Sequence, residues 1–188
     1  MGKKTPDYSR LEENPGLEVA TFAGGCFWCM EAGFEPLEGV VEAVSGYTGG
    51  RDDDPTYDEV STGSTGHLEA VQVYYDPEKI SYRELVEEYW KNIDPTDAGG
   101  QFADRGSQYE TAIFYHNEEQ KRIADESKKM LQESGKYDSP IATKVIKFER
   151  FYTAEEYHQD YYKKNNVHYS AYKKGSGREG YIKRLWGD

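Results

Sequence analysis

Cysteine is scarce in this chain of 188 residues, which contains only Cys26 and Cys29. Disulfide-rich scaffolds need several bridges across longer loops, and a bridge that closes so short a loop adds little stability. The fold must therefore depend on an ordinary hydrophobic core. A chain of this length is long enough to bury such a core within one domain.

Long apolar runs and an excess of positive charge are missing as well. No segment approaches the roughly 20 consecutive apolar residues that a membrane span requires, and residues 1–17 lack the apolar stretch of a signal peptide. The 23 Lys and Arg side chains are outnumbered by 35 Asp and Glu, which gives a formal net charge of −12. We therefore expect a cytoplasmic protein, by default a monomer, that binds neither nucleic acid nor membranes.

Tyrosine, by contrast, is abundant. The chain has 17 Tyr, against 7 Phe and 3 Trp. This content of large rings argues against disorder. It predicts amphipathic walls that present both aromatic rings and hydroxyl groups.

Strand and helix patterns alternate from residue 18 onwards. Strands are predicted at 18–22, 40–45, 67–75, 109–115 and 141–148, and helices at 26–37, 81–93, 117–134 and 153–165. The central β-α-β-β-α-β order predicts an α+β two-layer sandwich with a ferredoxin-like core, in which helices cover one face of a mixed, mostly antiparallel sheet. We expect one domain, 18–166, between an N-terminal arm (1–17) and a cysteine-free tail with little periodicity (167–188).

Capping boxes mark the starts of two of these helices. Ser81 and Glu84 have the required spacing in one helix, and Thr153 and Glu156 have it in the other. The residues expected to face inward in the helix at 117–134 are Ile123, Met130 and Leu131.

The segment at 24–29 (GGCFWC) places two cysteines one helical turn apart after a strand. The two glycines allow a sharp turn, so Cys26 falls near the start of a helix, where unpaired amides and the helix dipole favour a thiolate. Spacing alone leaves three interpretations of Cys26 and Cys29: a redox pair, two small residues that pack a helix on the sheet, or a metal site completed by histidines. Phe27 and Trp28, which lie between the two cysteines, would form an apolar platform beside a nucleophile. The alternative, that the rings simply pack in the core, is plausible for one of them and less so for both.

Glu69 is unusual because the other residues of its strand, 67–75, are mostly apolar. On an edge strand its side chain could simply face water. If it faces a pocket, loss of solvation raises its pKa and keeps it protonated near neutral pH. A neutral carboxylic acid beside a thiolate supplies the proton that a reaction needs when an oxygen leaves as water.

Two long Gly-rich loops, 46–66 and 94–107, carry further polar candidates. Tyr57 in the first loop and Tyr109 just after the second could donate hydrogen bonds to a substrate oxygen. Asp104 could organise the second loop. Each of the three, taken alone, is an ordinary loop residue.

Five segments together resemble a known family. They are GCFW at 25–28, GYTGG at 46–50, PTY at 55–57, GHLEAV at 66–71 and DRGSQY at 104–109. Their order and approximate spacing, over about residues 18–165, resemble the signature segments of the A-type peptide methionine sulfoxide reductases. The resemblance implies an α+β sandwich whose catalytic domain, 18–166, reduces methionine S-sulfoxide, free or in proteins, with no cofactor and no metal.

The resemblance also assigns roles to individual positions. Cys26 would be the nucleophile, and Glu69 would give a proton to the sulfoxide oxygen. Phe27 and Trp28 would hold the substrate methyl group. Tyr57 and Tyr109 would donate hydrogen bonds to the sulfoxide oxygen. Asp104 would help to shape the pocket.

The chain departs from many relatives of this family at Cys29, where those relatives have glycine and place recycling cysteines in a Gly-rich tail. The tail at 167–188 contains no cysteine, so recycling by the tail is excluded. We expect Cys29 instead to condense with a Cys26 sulfenic acid, giving a disulfide that thioredoxin or a small dithiol reduces.

Two other functions stay open at this level. The paired cysteines alone allow a thiol–disulfide oxidoreductase, although the element order is not that of thioredoxin and Glu69 would have no task. The second alternative is an acidic interaction module with a structural metal. Zinc in the purified protein would favour this module, whereas two free thiols by titration would favour an enzyme.

Overall fold

Strands and helices alternate along the part of the chain that the computed structural model describes, residues 3–187. The strands are β1 (Glu18–Gly24), β2 (Val40–Thr48), β3 (Leu68–Tyr75), β4 (Gly100–Gln101), β5 (Asp104–Arg105), β6 (Thr111–Tyr115), β7 (Lys144–Lys147) and β8 (Phe151–Thr153). The helices are α1 (Ser9–Glu12), α2 (Phe27–Phe34), α3 (Tyr57–Ser61), α4 (Tyr82–Lys91), α5 (Glu118–Glu133), α6 (Tyr161–Lys164), α7 (Asn166–Gly175) and α8 (Arg178–Trp186). The first two residues of the predicted arm and the last residue of the predicted tail lie outside this range. No helix within it is long and apolar enough to span a bilayer.

Six of the strands form one sheet in the order β7-β6-β1-β3-β2-β8. Strands β6 and β7 run parallel, and every other neighbouring pair in this sheet is antiparallel. Strands β4 and β5 form a separate small hairpin. The predicted α+β fold with a mixed, mostly antiparallel sheet is therefore confirmed.

The main core lies between one face of this sheet and helices α2, α4 and α5. Successive side chains of a strand alternate between faces, so Phe22 of β1 and Val71 of β3 both point into this core. The ring of Phe22 stacks on Phe34 of α2 and on Tyr89 of α4, with centroids 5.1 and 5.0 Å apart. Such burial of large rings anchors α2, and with it the cysteine segment, on the centre of the sheet.

The N-terminal arm lies against the opposite face of the sheet. Leu11 of α1 is buried in a cluster with Val44 and Tyr74, and Leu17 packs beside them. These contacts explain why residues before β1 follow the domain surface.

Helices α4 and α5 begin where the sequence indicates. The predicted capping box of Ser81 and Glu84 is confirmed, and the Asn117 side chain caps α5. The inward stripe of α5 differs from the prediction, since Met130 is 65% exposed. The predicted inward positions of Leu131, which is buried, and Ile123, which packs against the core, are confirmed. The buried stripe is completed by Gln120, Ala124 and Ser127.

The predicted helix at 153–165 is wrong over its first half. Thr153 ends strand β8, where it pairs with Gly46 of β2, and the next amide, of Ala154, donates to the carbonyl of Ser45 at 2.9 Å. Thr153 therefore belongs to the sheet edge and caps no helix. Only a 3₁₀ turn (Glu156–His158) and the short α6 follow.

The tail is helical although its sequence shows little periodicity. Helices α7 and α8 occupy most of residues 167–187. Only Tyr169 in α7 and Arg178 in α8 are buried, so neither helix has a continuous apolar stripe. Tyr172 and Trp186, which are partly buried, add contacts with the cysteine cluster and with the main core.

Candidate active site

Seven of the eight side chains singled out in the sequence line one cavity of about 190 Å³. They are Cys26, Phe27, Trp28, Tyr57, Glu69, Asp104 and Tyr109. Tyr172 of the tail completes the wall, and Cys29 lies behind Cys26 in the same buried cluster. A wider groove of about 550 Å³ on the opposite face of the sheet contains no cysteine.

The turn out of β1 sets the position of Cys26. Gly25 has a φ of +85°, and a Cβ atom there would lie 2.6 Å from the Cβ atom of Gln101. Only glycine fits this turn. Cys26 is consequently the N-cap residue of α2, whose first turn carries no acidic side chain. The positive end of the helix dipole is free to favour a thiolate at this point.

Both cysteines are free thiols and nearly inaccessible to solvent, with exposures of 5% for Cys26 and 3% for Cys29. A hydrogen bond from Cys26 lowers the pKa of Cys29 to about 6. Burial raises the pKa of the Cys26 thiol. Because hydrogen-bonded thiols titrate as a pair, the lowered pKa belongs to the first proton that leaves the pair, and the resulting thiolate charge is centred on Cys29.

Glu69 faces the helical layer rather than water. It lies on the same side of β3 as Val71, is 3% exposed, and its Oε1 accepts the amide N–H of Phe27 at 3.2 Å. Burial is the main cause that raises its pKa to about 8, and the nearby Asp104 adds to the effect. Glu69 is therefore largely protonated at neutral pH and sits under the first turn of the cysteine helix.

Tyr57 and Tyr109 reach the cavity from the two Gly-rich loops. Burial raises the pKa of both phenols, so each keeps its proton at neutral pH and can donate a hydrogen bond. Tyr57 is held by Glu155, which accepts the amide of Tyr57 and the hydroxyl of Tyr47, both at 2.9 Å. Glu155, which lies within the helix predicted at 153–165, therefore positions one wall of the cavity.

The two rings of the cysteine segment have different environments. Phe27 is fully buried in the core, whereas Trp28 is half-buried and stacks on Tyr161 with ring centroids 3.9 Å apart. The indole Nε1 of Trp28 donates to Nδ1 of His158 at 3.1 Å. Burial lowers the pKa of His158 to about 4, so this imidazole stays neutral and available as an acceptor. His158 thereby fixes the orientation of the exposed ring face.

The second loop and the tail meet at Asp104, whose carboxylate accepts the hydroxyl of Tyr172. Residues from the last third of the chain also surround the site, although the sequence patterns did not predict them: His158, Tyr161, Tyr169, Tyr172 and Arg178. Two features of the sequence could have indicated these residues: the surplus of tyrosine, and the positions of Tyr169 and Tyr172 one helical turn apart.

Histidines do not join the cysteine pair. Among residues 3–187, the one close group of three or more metal-ligating side chains contains only carboxylates: Glu31, Glu35, Glu42 and Asp160. Within that group Glu35 is paired with Lys163 at 2.7 Å. His67 bonds a neighbouring loop, accepting the amide of Gly50 at 3.1 Å and donating to the carbonyl of Asp52 at 2.7 Å.

A buried thiol pair and a protonated carboxyl group on one cavity of an α+β domain define a cysteine-dependent oxidoreductase. Comparison with known proteins specifies the class. A family model described as peptide methionine sulfoxide reductase matches residues 18–188. The peptide methionine sulfoxide reductase MsrA of Bacillus velezensis is 57% identical over 171 residues, which cover 91% of this chain and 97% of the relative.

Solved structures agree with this assignment. Reduced Mxr1 from Saccharomyces cerevisiae matches with a TM-score of 0.77 and 32% identity, over 81% of this chain and 88% of that chain. Methionine sulfoxide reductase A of Corynebacterium diphtheriae matches with a TM-score of 0.75 and 31% identity, over 88% and 84%. The chain belongs to the A-type peptide methionine sulfoxide reductases, an oxidoreductase family.

Proposed function

We propose that the chain reduces methionine S-sulfoxide, free or within oxidised proteins, to methionine and so repairs oxidised proteins. One observation carries the proposal: Cys26, which is hydrogen-bonded to the Cys29 thiol behind it, and a protonated Glu69 border the same small cavity. The names of the relatives agree with this activity. The default of a monomer is kept as part of this proposal, and the order β6-β1-β3-β2 supports a ferredoxin-like core.

The substrate would enter with its methyl group against the face of Trp28, which His158 and Tyr161 hold in place. Its oxygen would point towards Glu69 and the hydroxyl groups of Tyr57 and Tyr109. All three groups carry protons at neutral pH, because burial raises each pKa. Such donors stabilise negative charge that develops on the oxygen as its bond to sulfur weakens.

In the first half-reaction Cys26 attacks the sulfur of the sulfoxide while its proton passes to Cys29, whose lowered pKa makes it the base of the pair. Glu69 gives a proton to the oxygen. The oxygen passes to Cys26 as a sulfenic acid, and methionine leaves. Sulfur of the substrate is reduced by two electrons and the sulfur of Cys26 is oxidised by two, so the step balances.

In the second half-reaction the thiol of Cys29 displaces the hydroxyl of the sulfenic acid, forming a Cys26–Cys29 disulfide and water. The amide of Cys29 already bonds the carbonyl of Cys26 at 3.1 Å, so the two residues share one helical turn. Thioredoxin or a small dithiol then returns two electrons and two protons by thiol–disulfide exchange.

The activity is tested with the separated S- and R-sulfoxides of methionine, with dithiothreitol as reductant and Cys26→Ser as the inactive control. We expect the wild type to form methionine from the S-epimer and the control to form none. Methionine from the R-epimer alone, or equal turnover by the control, would contradict the proposal.

A further inference from the structure

Arg178 of the tail is a buried cation at the cysteine turn. It is 1% exposed although it lies near the end of the chain. One guanidinium nitrogen, Nη2, donates to the carbonyl of Gly24 at 3.1 Å, and the other, Nη1, donates to the carbonyl of Asn92 at 2.6 Å. The guanidinium carbon lies 4.8 Å from the ring centre of Phe102. These contacts fasten α8 to the end of β1.

Arg178 lacks a carboxylate partner in the part of the chain that the structure describes, where every ion pair involves other residues. Burying a charge without a counter-charge is costly, and neutral carbonyl groups compensate for it only in part. Arginine does not escape this cost by losing its proton. An anion close to Arg178 is therefore expected.

The cysteine pair is the group in position to supply that anion. A Cβ atom on Gly25 would lie 3.0 Å from Nη2 of Arg178, so the guanidinium lies beside the residue that precedes Cys26. Tyr169, one turn of α7 away from Tyr172, packs in a buried cluster with both cysteines. Helix α7 of the tail thus packs directly against the cysteine pair.

Other charged groups near the pair are less suited to balance a thiolate. Glu69 from β3 is uncharged near neutral pH, because burial raises its pKa to about 8. Lys173 from α7 is only half-buried, so solvent screens its charge. For Cys29, the hydrogen bond from Cys26 is the main cause of the lowered pKa, and Arg178 lowers it further. For Cys26, burial raises the pKa and Arg178 opposes that rise.

We propose that Arg178 is a positioning residue, which supplies the buried positive charge opposite the Cys26–Cys29 pair and holds the tail against it. The inference rests on the proposed function only in taking this pair as the reacting group. Since coupling between two sites is reciprocal, a guanidinium that stabilises the thiolate must also be held more firmly when the thiolate is present.

The test is the pH dependence of thiol alkylation by iodoacetamide, compared among the wild type, Arg178→Gln, Arg178→Lys and the matched surface control Lys173→Gln. Glutamine keeps one side-chain hydrogen-bond donor but removes the charge, and lysine keeps the charge but loses the paired donors. We expect Arg178→Gln to raise the lower pKa of the pair by about one unit, which slows alkylation about tenfold below that pKa. Arg178→Lys and Lys173→Gln should show much smaller shifts.

An unchanged pKa in folded Arg178→Gln would overturn the proposal and leave Arg178 a purely structural residue.

If that variant does not fold, hydrogen exchange of the wild-type protein decides the question. Amides of α8 should exchange more slowly above the lower pKa of the pair than below it, after correction for intrinsic rates, and Cys26→Ser/Cys29→Ser should lose this difference. The same difference in both proteins would overturn the proposal. Neither readout needs turnover, so absence of sulfoxide reduction would count against the proposed function alone.

Discussion

The cavity has two walls that differ in origin. The sheet wall comprises Cys26, Phe27, Trp28 and Glu69, which lie on α2 and β3 over the main core. The tail wall comprises Tyr172, which lines the cavity, and Tyr161, Tyr169 and Arg178, which pack behind the lining on three helices near the end of the chain. Loop residues complete the lining: Tyr57, Asp104 and Tyr109. In the proposed mechanism the sheet wall carries the groups that exchange atoms and protons with substrate, whereas the tail wall would orient those groups and set their charge.

This difference predicts that substitutions in the sheet wall stop chemistry, while substitutions in the tail wall change affinity and titration. The largest effect concerns recycling. Cys29→Ser should release one equivalent of methionine and then stall when thioredoxin is the reductant, because no second thiol resolves the sulfenic acid. The measurement is the amount of methionine formed per chain, first without a reductant and then with thioredoxin present. Full thioredoxin-driven turnover would rule out Cys29 as the resolving residue.

The next effect concerns proton donation. Glu69→Gln should slow methionine formation by about 10²–10⁴-fold, the usual contribution of a general acid. Since the pKa of Glu69 is raised to about 8, the wild-type chemical rate should fall as the pH rises through that value, and the variant should lose this alkaline fall.

Glu31→Gln is the matched control for Glu69→Gln. Glu31 is equally buried, and burial raises its pKa to about 8, but its oxygens bond Ser45 and the amide of Asp160 outside the cavity. Single-turnover rates across pH separate the two glutamates. A similar loss in both variants would show that any buried carboxyl group matters and that Glu69 is not the acid.

The smallest effect belongs to the tail wall. Tyr172→Phe removes the hydrogen bond to Asp104 and should raise KM roughly fivefold with little change in kcat, the scale of one hydrogen bond. Tyr162→Phe is its control, because Tyr162 bonds Glu35 away from the cavity. A fall in kcat as large as that of Glu69→Gln would erase the distinction between the two walls.

The same two walls explain how much was predictable from the sequence. Cys26 and Glu69 stand out because each breaks a local pattern: a thiol at a helix start after two glycines, and an acid in an apolar strand. Local patterns of this kind can be recognised without the fold. The sheet was predictable for a similar reason. The mostly apolar segment that forms β3 and the capping box that begins α4 are both local patterns.

Residues of the tail wall could not be placed, because their role depends on contacts between distant segments. Arg178 meets Gly24 across 154 positions of the chain, and Trp28 meets His158 across 130. The helix predicted at Thr153 failed for the same reason. Pairing with Gly46 in a distant strand outweighed a local capping signal.

The central claim is that one reduced chain carries everything needed for a single reduction. Reduced enzyme, freed of external thiol, is mixed with excess methionine S-sulfoxide, and methionine and free thiols are counted in the same sample. We predict one methionine per chain and the loss of both thiols, with no disulfide formed from the R-epimer. No methionine, or methionine with both thiols intact, would contradict the account.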